Sequence, residues 1–229
     1  MSENKYKNKI NKEKKKCNEL INKLYGDNYY FIHETSKTEI EDILKSGKIK
    51  IGTHIDNNIS DPVPYAYFNI EFDDVPLQTS PIIHYLLVLH PRILFDNGTV
   101  IYNKQWPKYP DSNSIYINKE DTNDIKKQKI KEIKNKLIEF QKENPKYYYK
   151  STHEILFTSD IELKDNLIGI IYNNNLYVNN PYYKYYKGNK NMFFNYTPII
   201  KKLLKKYEYN NVKLYNEIPE FPLLCDLLI

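Results

Sequence analysis

The sequence predicts an α+β protein, and three observations support this prediction. Short apolar or alternating runs of strand length recur along the chain, among them residues 28–33, 82–89 and 167–172. Amphipathic stretches lie between them, most clearly a Lys-rich one at 121–144. The 229 residues are enough for one sizeable core, since mixed folds can reach roughly 200 to 250 residues as single domains. These patterns favour a sheet flanked by helices.

The first 26 residues differ from the rest. Residues 1–16 are rich in Lys and Asn and have no apolar segment behind their charges, so they do not resemble a secretory signal. From Lys5 to Tyr25 apolar residues recur at near-helical spacing, and Gly26 follows as a stop. We expect a frayed, mobile basic arm that becomes a helix within 1–26. A single domain with a C-terminal helical extension should follow at 27–229.

Period-two and helical patterns, separated by Gly, Pro and Asn, divide that domain into short elements. The first half predicts, in order, a strand at 28–33, a helix capped by Thr35 or Ser36 and closed by Gly47, a strand at 48–51, a loop at 53–64, strands at 65–72 and 82–89, a turn at Gly98, a returning strand at 100–106 and the Lys-rich helix at 121–144. The second half predicts strands at 154–157, 161–163 and 167–172, a surface excursion of low complexity at 173–191, a helix at 198–207 and an apolar tail at 218–229. We expect two small packed sheets, with Phe31 in the core and the Lys-rich helix outside.

Composition excludes several classes of protein. No run approaches the roughly 20 apolar residues that a bilayer span requires, so no membrane association is expected. Cys17 and Cys225 lie at opposite ends, and neither has a Cys or His partner at metal-ligand spacing. We therefore expect no metal site, two free thiols and a reducing, cytoplasmic location.

The net charge of +5 comes almost entirely from Lys, because Arg92 is the single arginine. Lysines supply point charges for unspecific phosphate contact, whereas sequence-specific readers depend on the bidentate Arg fork. The 23 tyrosines beside abundant Lys, Asn and Ile are typical of an AT-rich coding bias, as in some amoebal giant viruses and protists. A viral origin would place the protein in the host cytoplasm or the virion.

Three segments occur in a set order. FIHETSKTEIEDILKSGKIKIG (31–52) contains a strand, His-x-Thr, a helix and Ile-Leu-x-x-Gly, and PYAYFNI (64–70) puts an aromatic residue before a short strand. STHEILFTSDIELKDNLIGIIY (151–172) contains a strand beginning at Glu154, then a short strand and an apolar one. In this order, with a buried strand between the second and third, they resemble the split-sheet catalytic domain of the ADP-ribosyltransferase superfamily, as in poly-ADP-ribose polymerases and DarT-type DNA ADP-ribosyltransferases. The resemblance spans about the central two-thirds of the chain.

The resemblance implies NAD as substrate and a set of site residues. Cleavage of the nicotinamide glycosidic bond develops an oxocarbenium-like cation, which an anionic group near the ribose stabilises. By the resemblance, that group is Glu154, which would bond the ribose 2′-hydroxyl, and His33 would donate to a ribose hydroxyl of the adenosine half. Tyr65 or Tyr67 would stack on the nicotinamide. The implied catalytic residues are thus Glu154, His33, Tyr65 and Tyr67, and the implied NAD-binding residues are His33, Glu34, Thr35, Ser36, Tyr65 and Tyr67.

The sequence also departs from the family. Glu34 stands where polymerase-type members have Gly, and its side chain can hinder backbone approach to the carboxamide. Arg92 lies too far downstream to serve as an early catalytic arginine, which excludes the Arg-Ser-Glu toxin class. Thr152, two positions before Glu154, does not favour arginine-directed modification.

Three functions remain open. The first is an NAD-dependent ADP-ribosyltransferase, a glycosyltransferase-class enzyme, that modifies a protein or a nucleic acid. The second is a catalytically inactive interaction or structural protein that retains this fold. The third is an unspecific nucleic-acid-binding protein that uses the basic arm and the Lys-rich helix.

Overall fold

A computed structural model describes residues 3–35, 39–52, 65–75, 85–97, 100–103, 114–143, 154–172, 196–216 and 223–228. The helices in these ranges are α1 (Glu3–Tyr25), α2 (Glu39–Ser46), α3 (Ile93–Asp96), α4 (Asn123–Glu143), α5 (Tyr196–Lys206) and α6 (Leu224–Leu228). The strands are β1 (Tyr29–Thr35), β2 (Lys48–Ile49), β3 (Ala66–Phe72), β4 (Tyr85–Leu89), β5 (Val100–Asn103), β6 (Ile115–Ile117), β7 (Glu154–Phe157), β8 (Ile161–Glu162), β9 (Leu167–Tyr172) and β10 (Lys213–Asn216). The predicted α+β class is confirmed.

Eight of the described strands form one mixed sheet in the order β10-β9-β4-β1-β3-β7-β5-β6, and β2 and β8 form a separate two-stranded sheet. The pairing of β10 with β9 is parallel, whereas β1, β3 and β4 are joined by antiparallel ladders. The expected pair of small packed sheets is therefore replaced by one long sheet and one short ladder. None of the helices in the described ranges is long and apolar enough to cross a membrane.

The long sheet forks between β1 and β3. Their ladder runs from Tyr29↔Phe72 to Ile32↔Asn69. Beyond it, residues 33–35 of β1 pair with β4, while residues 66–68 of β3 pair with β7. Beyond their shared ladder the two strands thus have different neighbours, and the long sheet is split at this point.

The sheet is buried on both faces because β1 alternates between two apolar clusters. Tyr29 and Phe31 belong to the larger cluster, which also holds Ile130, Ile133 and Leu137 of α4. Tyr30 and Ile32 belong to the smaller one, which α1 and α6 cover. Phe31 is fully buried, and the Lys-rich helix turns one apolar stripe inward, so both of these expectations are confirmed.

Several elements differ from expectation. The N-terminal arm, expected to be frayed, is helical from Glu3 onward. The helix α3 and the strands β6 and β10 were not predicted. The predicted loop at 53–64 and the excursion at 173–191 lie outside the described residues, as do residues 82–84 of the predicted buried strand.

The cysteine prediction is wrong. Cys17 of α1 and Cys225 of α6 form a disulfide, with their Cα atoms 6.0 Å apart across a sequence separation of 208. Spacing rules detect neighbouring cysteines, and they say nothing about two that meet through the fold. The expectation of a reducing location rested on free thiols, so the disulfide removes the support for it.

The short helix α6 is held by polar contacts beside the disulfide. The backbone N–H of Leu224 donates to Asp73 Oδ1 at 2.9 Å, so Asp73 caps the helix. Lys213 Nζ donates to the Asp226 carbonyl oxygen at 2.9 Å, and Lys14 forms an ion pair with the Asp226 carboxylate. A five-residue helix is unstable alone, so these contacts account for its place on the sheet.

Replacing Asp73 with Asn is expected to raise stability at neutral pH. Burial is the main cause that raises the pKa of Asp73 from 3.8 to about 6. A carboxyl with a raised folded-state pKa binds its proton more tightly in the folded chain, so ionisation costs stability as pH rises from about 4 to about 6. Asn keeps an oxygen for the Leu224 N–H and cannot ionise. We expect a gain of about 1–2 kcal/mol at pH 7.5 that disappears below about pH 4.

Urea titrations of both proteins across this pH range would measure the difference in unfolding free energy. If the difference in unfolding free energy between the two proteins stays constant with pH, the pKa of Asp73 is not raised by folding, and the prediction is wrong.

Candidate functional site

A cavity of about 540 Å³ opens in the fork between β1 and β3. This volume is within the range of about 300–1,000 Å³ that small-molecule sites occupy. One wall is formed by β1 and the start of β3, with lining residues His33, Glu34, Thr35, Tyr65, Ala66, Tyr67 and Asn69. The other wall is formed by α2 and β2, with lining residues Glu39, Asp42, Ile43, Ser46, Lys48, Ile49 and Lys50.

His33 bridges the fork. Its Nδ1 lies 2.9 Å from the carbonyl oxygen of Tyr67. A carbonyl oxygen can only accept, so Nδ1 carries the proton and donates. In the neutral ring Nε2 is then an acceptor. The ring also lies 5.2 Å from that of Phe68.

Five of the seven predicted site residues line this one cavity: His33, Glu34, Thr35, Tyr65 and Tyr67. Thr35 lies in β1, and its Oγ1 donates to Glu39 Oε2 at 3.5 Å. It is therefore not the backbone cap of α2 that the sequence suggested. Ser36 lies outside the described residues.

Glu154 begins β7, where the structure describes its backbone alone. Its neighbour Ile155 pairs with Phe68, and Asn69 follows Phe68 in β3. In an antiparallel ladder the residue before Ile155 lies level with the residue after Phe68. The backbone of Glu154 is thus beside that of Asn69, which lines the cavity.

The wall formed by α2 and β2 was missed in the sequence, although a signal was present. Its helical members, Glu39, Asp42, Ile43 and Ser46, have the spacing i, i+3, i+4, i+7 of one helix face. The core uses the neighbouring face, with Ile40 and Leu44 buried. A mainly polar stripe beside an apolar one can face solvent or a cavity, and the sequence does not distinguish the two.

Contacts with α5 hold α2 in position. Lys206 Nζ lies 2.8 Å from Glu41 Oε1, and the Tyr207 hydroxyl donates to the same oxygen at 3.0 Å. These groups lower the pKa of Glu41. The Tyr209 hydroxyl donates to the Leu44 carbonyl oxygen at 3.3 Å. The end of α5 and the residues after it therefore hold α2 in place.

Arg92 has a structural role instead of a site role. Its Nε donates to Asn166 Oδ1 at 2.7 Å, and its guanidinium also donates to the Asp165 carbonyl oxygen. These bonds clamp the turn before β9, where Asp165 has a φ of 60°. The exclusion of an arginine-dependent site is consistent with this position.

A model of one protein family, described as a family of unknown function (DUF5846), matches residues 27–142, just over half of the chain. The chain belongs to DUF5846. The matched region contains all the described cavity-lining residues, from His33 to Asn69. Glu154 lies after the DUF5846 region.

A search of curated proteins gave no match for this DUF5846 chain. Among solved structures, it is similar to Thermus sp. 2.9 DarT in complex with ADP-ribosylated ssDNA, with a TM-score of 0.46, 11% identity and coverage of 84% of this chain and 95% of that one. It is also similar to Thermosipho africanus DarTG in complex with ADP-ribose, with a TM-score of 0.40, 9% identity and coverage of 83% of this chain and 49% of that one.

The cavity offers a defined set of chemical groups. Two tyrosines provide aromatic faces, a histidine and a threonine provide hydrogen-bonding atoms, and carboxylates and lysines provide both signs of charge. Apolar and aromatic surface with a few convergent polar groups is typical of sites for small ligands.

Proposed function

We propose that this chain is an NAD-dependent ADP-ribosyltransferase that modifies a protein or a nucleic acid. The observation that supports it is the convergence of His33, Tyr65 and Tyr67 on one cavity in a forked sheet. These residues come from segments 31–52 and 64–70, two of the three segments that resemble ADP-ribosyltransferases. The backbone of Glu154, from the third segment, lies beside the same fork.

In the proposed reaction the bond between the ribose C1′ and the nicotinamide nitrogen breaks. The nicotinamide leaves with the bonding electron pair, and an acceptor nucleophile attacks C1′ and loses its proton. Glu154 would stabilise the positive charge that develops on the ribose. His33, with its proton on Nδ1, would accept a hydrogen bond from a ribose hydroxyl at Nε2. Tyr65 or Tyr67 would stack on the nicotinamide.

A direct test is to measure nicotinamide release from NAD by the purified wild-type protein, with and without candidate protein and nucleic-acid acceptors. We expect release above a protein-free control, and transfer of a label from the adenosine half of NAD to one acceptor. NAD must bind before it can react, so calorimetry at high NAD concentration should detect a heat of binding that saturates. Absence of both heat and release would contradict the proposal.

A catalytically inactive interaction protein with this fold is the second candidate. The observation that favours it is Glu34, which lines the cavity where polymerase-type relatives have Gly. Glu34→Gly separates the candidates. If NAD binding appears only in this variant, the wild-type cavity is closed to NAD and the second candidate is favoured.

A further inference from the structure

Two lysines lie along one edge of the cavity. Lys48 and Lys50 both line it, and they flank Ile49, which is only 2% exposed. Ile49 lines the cavity as well and belongs to the larger apolar cluster, so this short run borders both the cavity and the core. Together with His33, the two lysines are the side chains among the described lining residues that can carry positive charge. We call Lys48–Lys50 the lysine edge.

The backbone of the lysine edge is fixed at both ends. Before it, Gly47 adopts a φ of 71°, and its carbonyl oxygen accepts from the Leu163 N–H at 2.8 Å. After it, the Ile51 N–H donates to Asp160 Oδ1 at 3.0 Å. The ladder with β8 pairs Lys48 with Glu162 and Ile49 with Ile161. The edge is therefore a rigid platform, which lowers the entropic cost of binding.

Lys48 is already oriented by an acidic partner. Its Nζ lies 2.8 Å from Glu162 Oε1, and Glu162 raises the pKa of Lys48. The ammonium remains partly exposed, with 42% of the side chain accessible, so it has donors left for a ligand. This contact holds the Lys48 ammonium beside Glu162 of β8.

The remaining charges in the cavity are negative and lie on other elements. Glu34 belongs to β1, and Glu39 and Asp42 belong to α2. The cavity thus has its lysines at and just after β2 and its carboxylates on β1 and α2. A ligand that carries both a doubly negative group and a separate cationic ring matches this distribution, because the negative group can face the lysines and the ring can face the carboxylates. A purely anionic ligand matches only the lysine edge.

From this arrangement we infer that Lys48 and Lys50 form a diphosphate-binding subsite of the cavity. The inference rests on the proposed function, in which the ligand is a dinucleotide with two bridging phosphates. Lysine ammoniums bind phosphate oxygens as point charges with several donors. The subsite would fix the middle of the dinucleotide, and the fork beside His33 would receive the ribose.

The test compares Lys48→Met, Lys50→Met and the double variant with wild type by calorimetry, using ADP-ribose, inorganic pyrophosphate and nicotinamide riboside as separate probes. Met keeps the length of the aliphatic stem and removes the charge. Lys45→Met is the matched control, because Lys45 is exposed on α2 and is not among the described lining residues. Thermal unfolding of each variant checks that the fold is intact.

We expect each single variant to bind ADP-ribose about tenfold more weakly, as for loss of one charge-assisted hydrogen bond, and the double variant to lose more. Nicotinamide riboside, which has no phosphate, should bind equally to all proteins, and the control should match wild type. Equal ADP-ribose affinity in wild type and double variant would overturn the inference while leaving the proposed function standing.

Failure of the proposed function gives a different pattern. If wild type binds neither NAD nor ADP-ribose but binds pyrophosphate in a lysine-dependent way, the subsite stands without the dinucleotide. If pyrophosphate also fails to bind, both the subsite and the proposed function are refuted.

Discussion

Glu154→Gln is expected to lower the rate of nicotinamide release by about 10²–10³-fold while the fold is preserved. The substitution keeps the size and hydrogen-bonding capacity of the side chain and removes its negative charge. If Glu154 faces the ribose, that charge stabilises the cation in the transition state more than it stabilises bound NAD. The loss should therefore appear in kcat, with NAD affinity little changed.

The matched control is Glu139→Gln, which removes an exposed carboxylate from α4. Surface substitutions of this kind usually change stability by no more than about 0.5 kcal/mol, and we expect full activity. Initial rates of nicotinamide release at several NAD concentrations would separate kcat from KM for all three proteins. Equal rates for wild type and Glu154→Gln would remove Glu154 from the mechanism.

Reduction of the Cys17–Cys225 disulfide is expected to lower the stability of the folded chain by about 2–5 kcal/mol, because the bond restricts the unfolded state across a long loop. For a chain of this size the Tm should fall by about 5–15 °C. Cys17→Ala should show the low Tm with or without reductant. Wild type should show it only with reductant.

Calorimetric scans of both proteins, with thiol counting under denaturing conditions, would measure this effect. The reduced wild type serves as the control for Cys17→Ala, since both lack the bond and should melt within about 1–2 °C of each other. Two free thiols in the oxidised wild type, or identical melting of wild type with and without reductant, would contradict the prediction.

The sequence predicts the class of this fold because its strands carry continuous or alternating apolar residues. The bounds of β7 and β9 agree with expectation, since Glu154–Phe157 and Leu167–Tyr172 are apolar runs between polar turns. The strand β10 could not be predicted, because Lys213–Asn216 has little apolar character and becomes a strand by pairing in parallel with β9. Tertiary pairing decides such segments.

The candidate site was predictable only on the β1 and β3 side. His33, Tyr65 and Tyr67 belong to segments with a recognisable order, and the structure brings them to one cavity. Lys48 and Lys50 gave no comparable signal, since Lys is the main charged residue throughout the chain. Their place depends on the fork and on the pairing of β2 with β8, both of which are long-range contacts.

The bond between α1 and α6 also closes the polypeptide into a covalent ring that runs from Cys17 to Cys225. Cutting a ring once opens it without dividing it, so a single proteolytic cut between these residues leaves one molecule of nearly unchanged mass. Only reduction would release the two pieces.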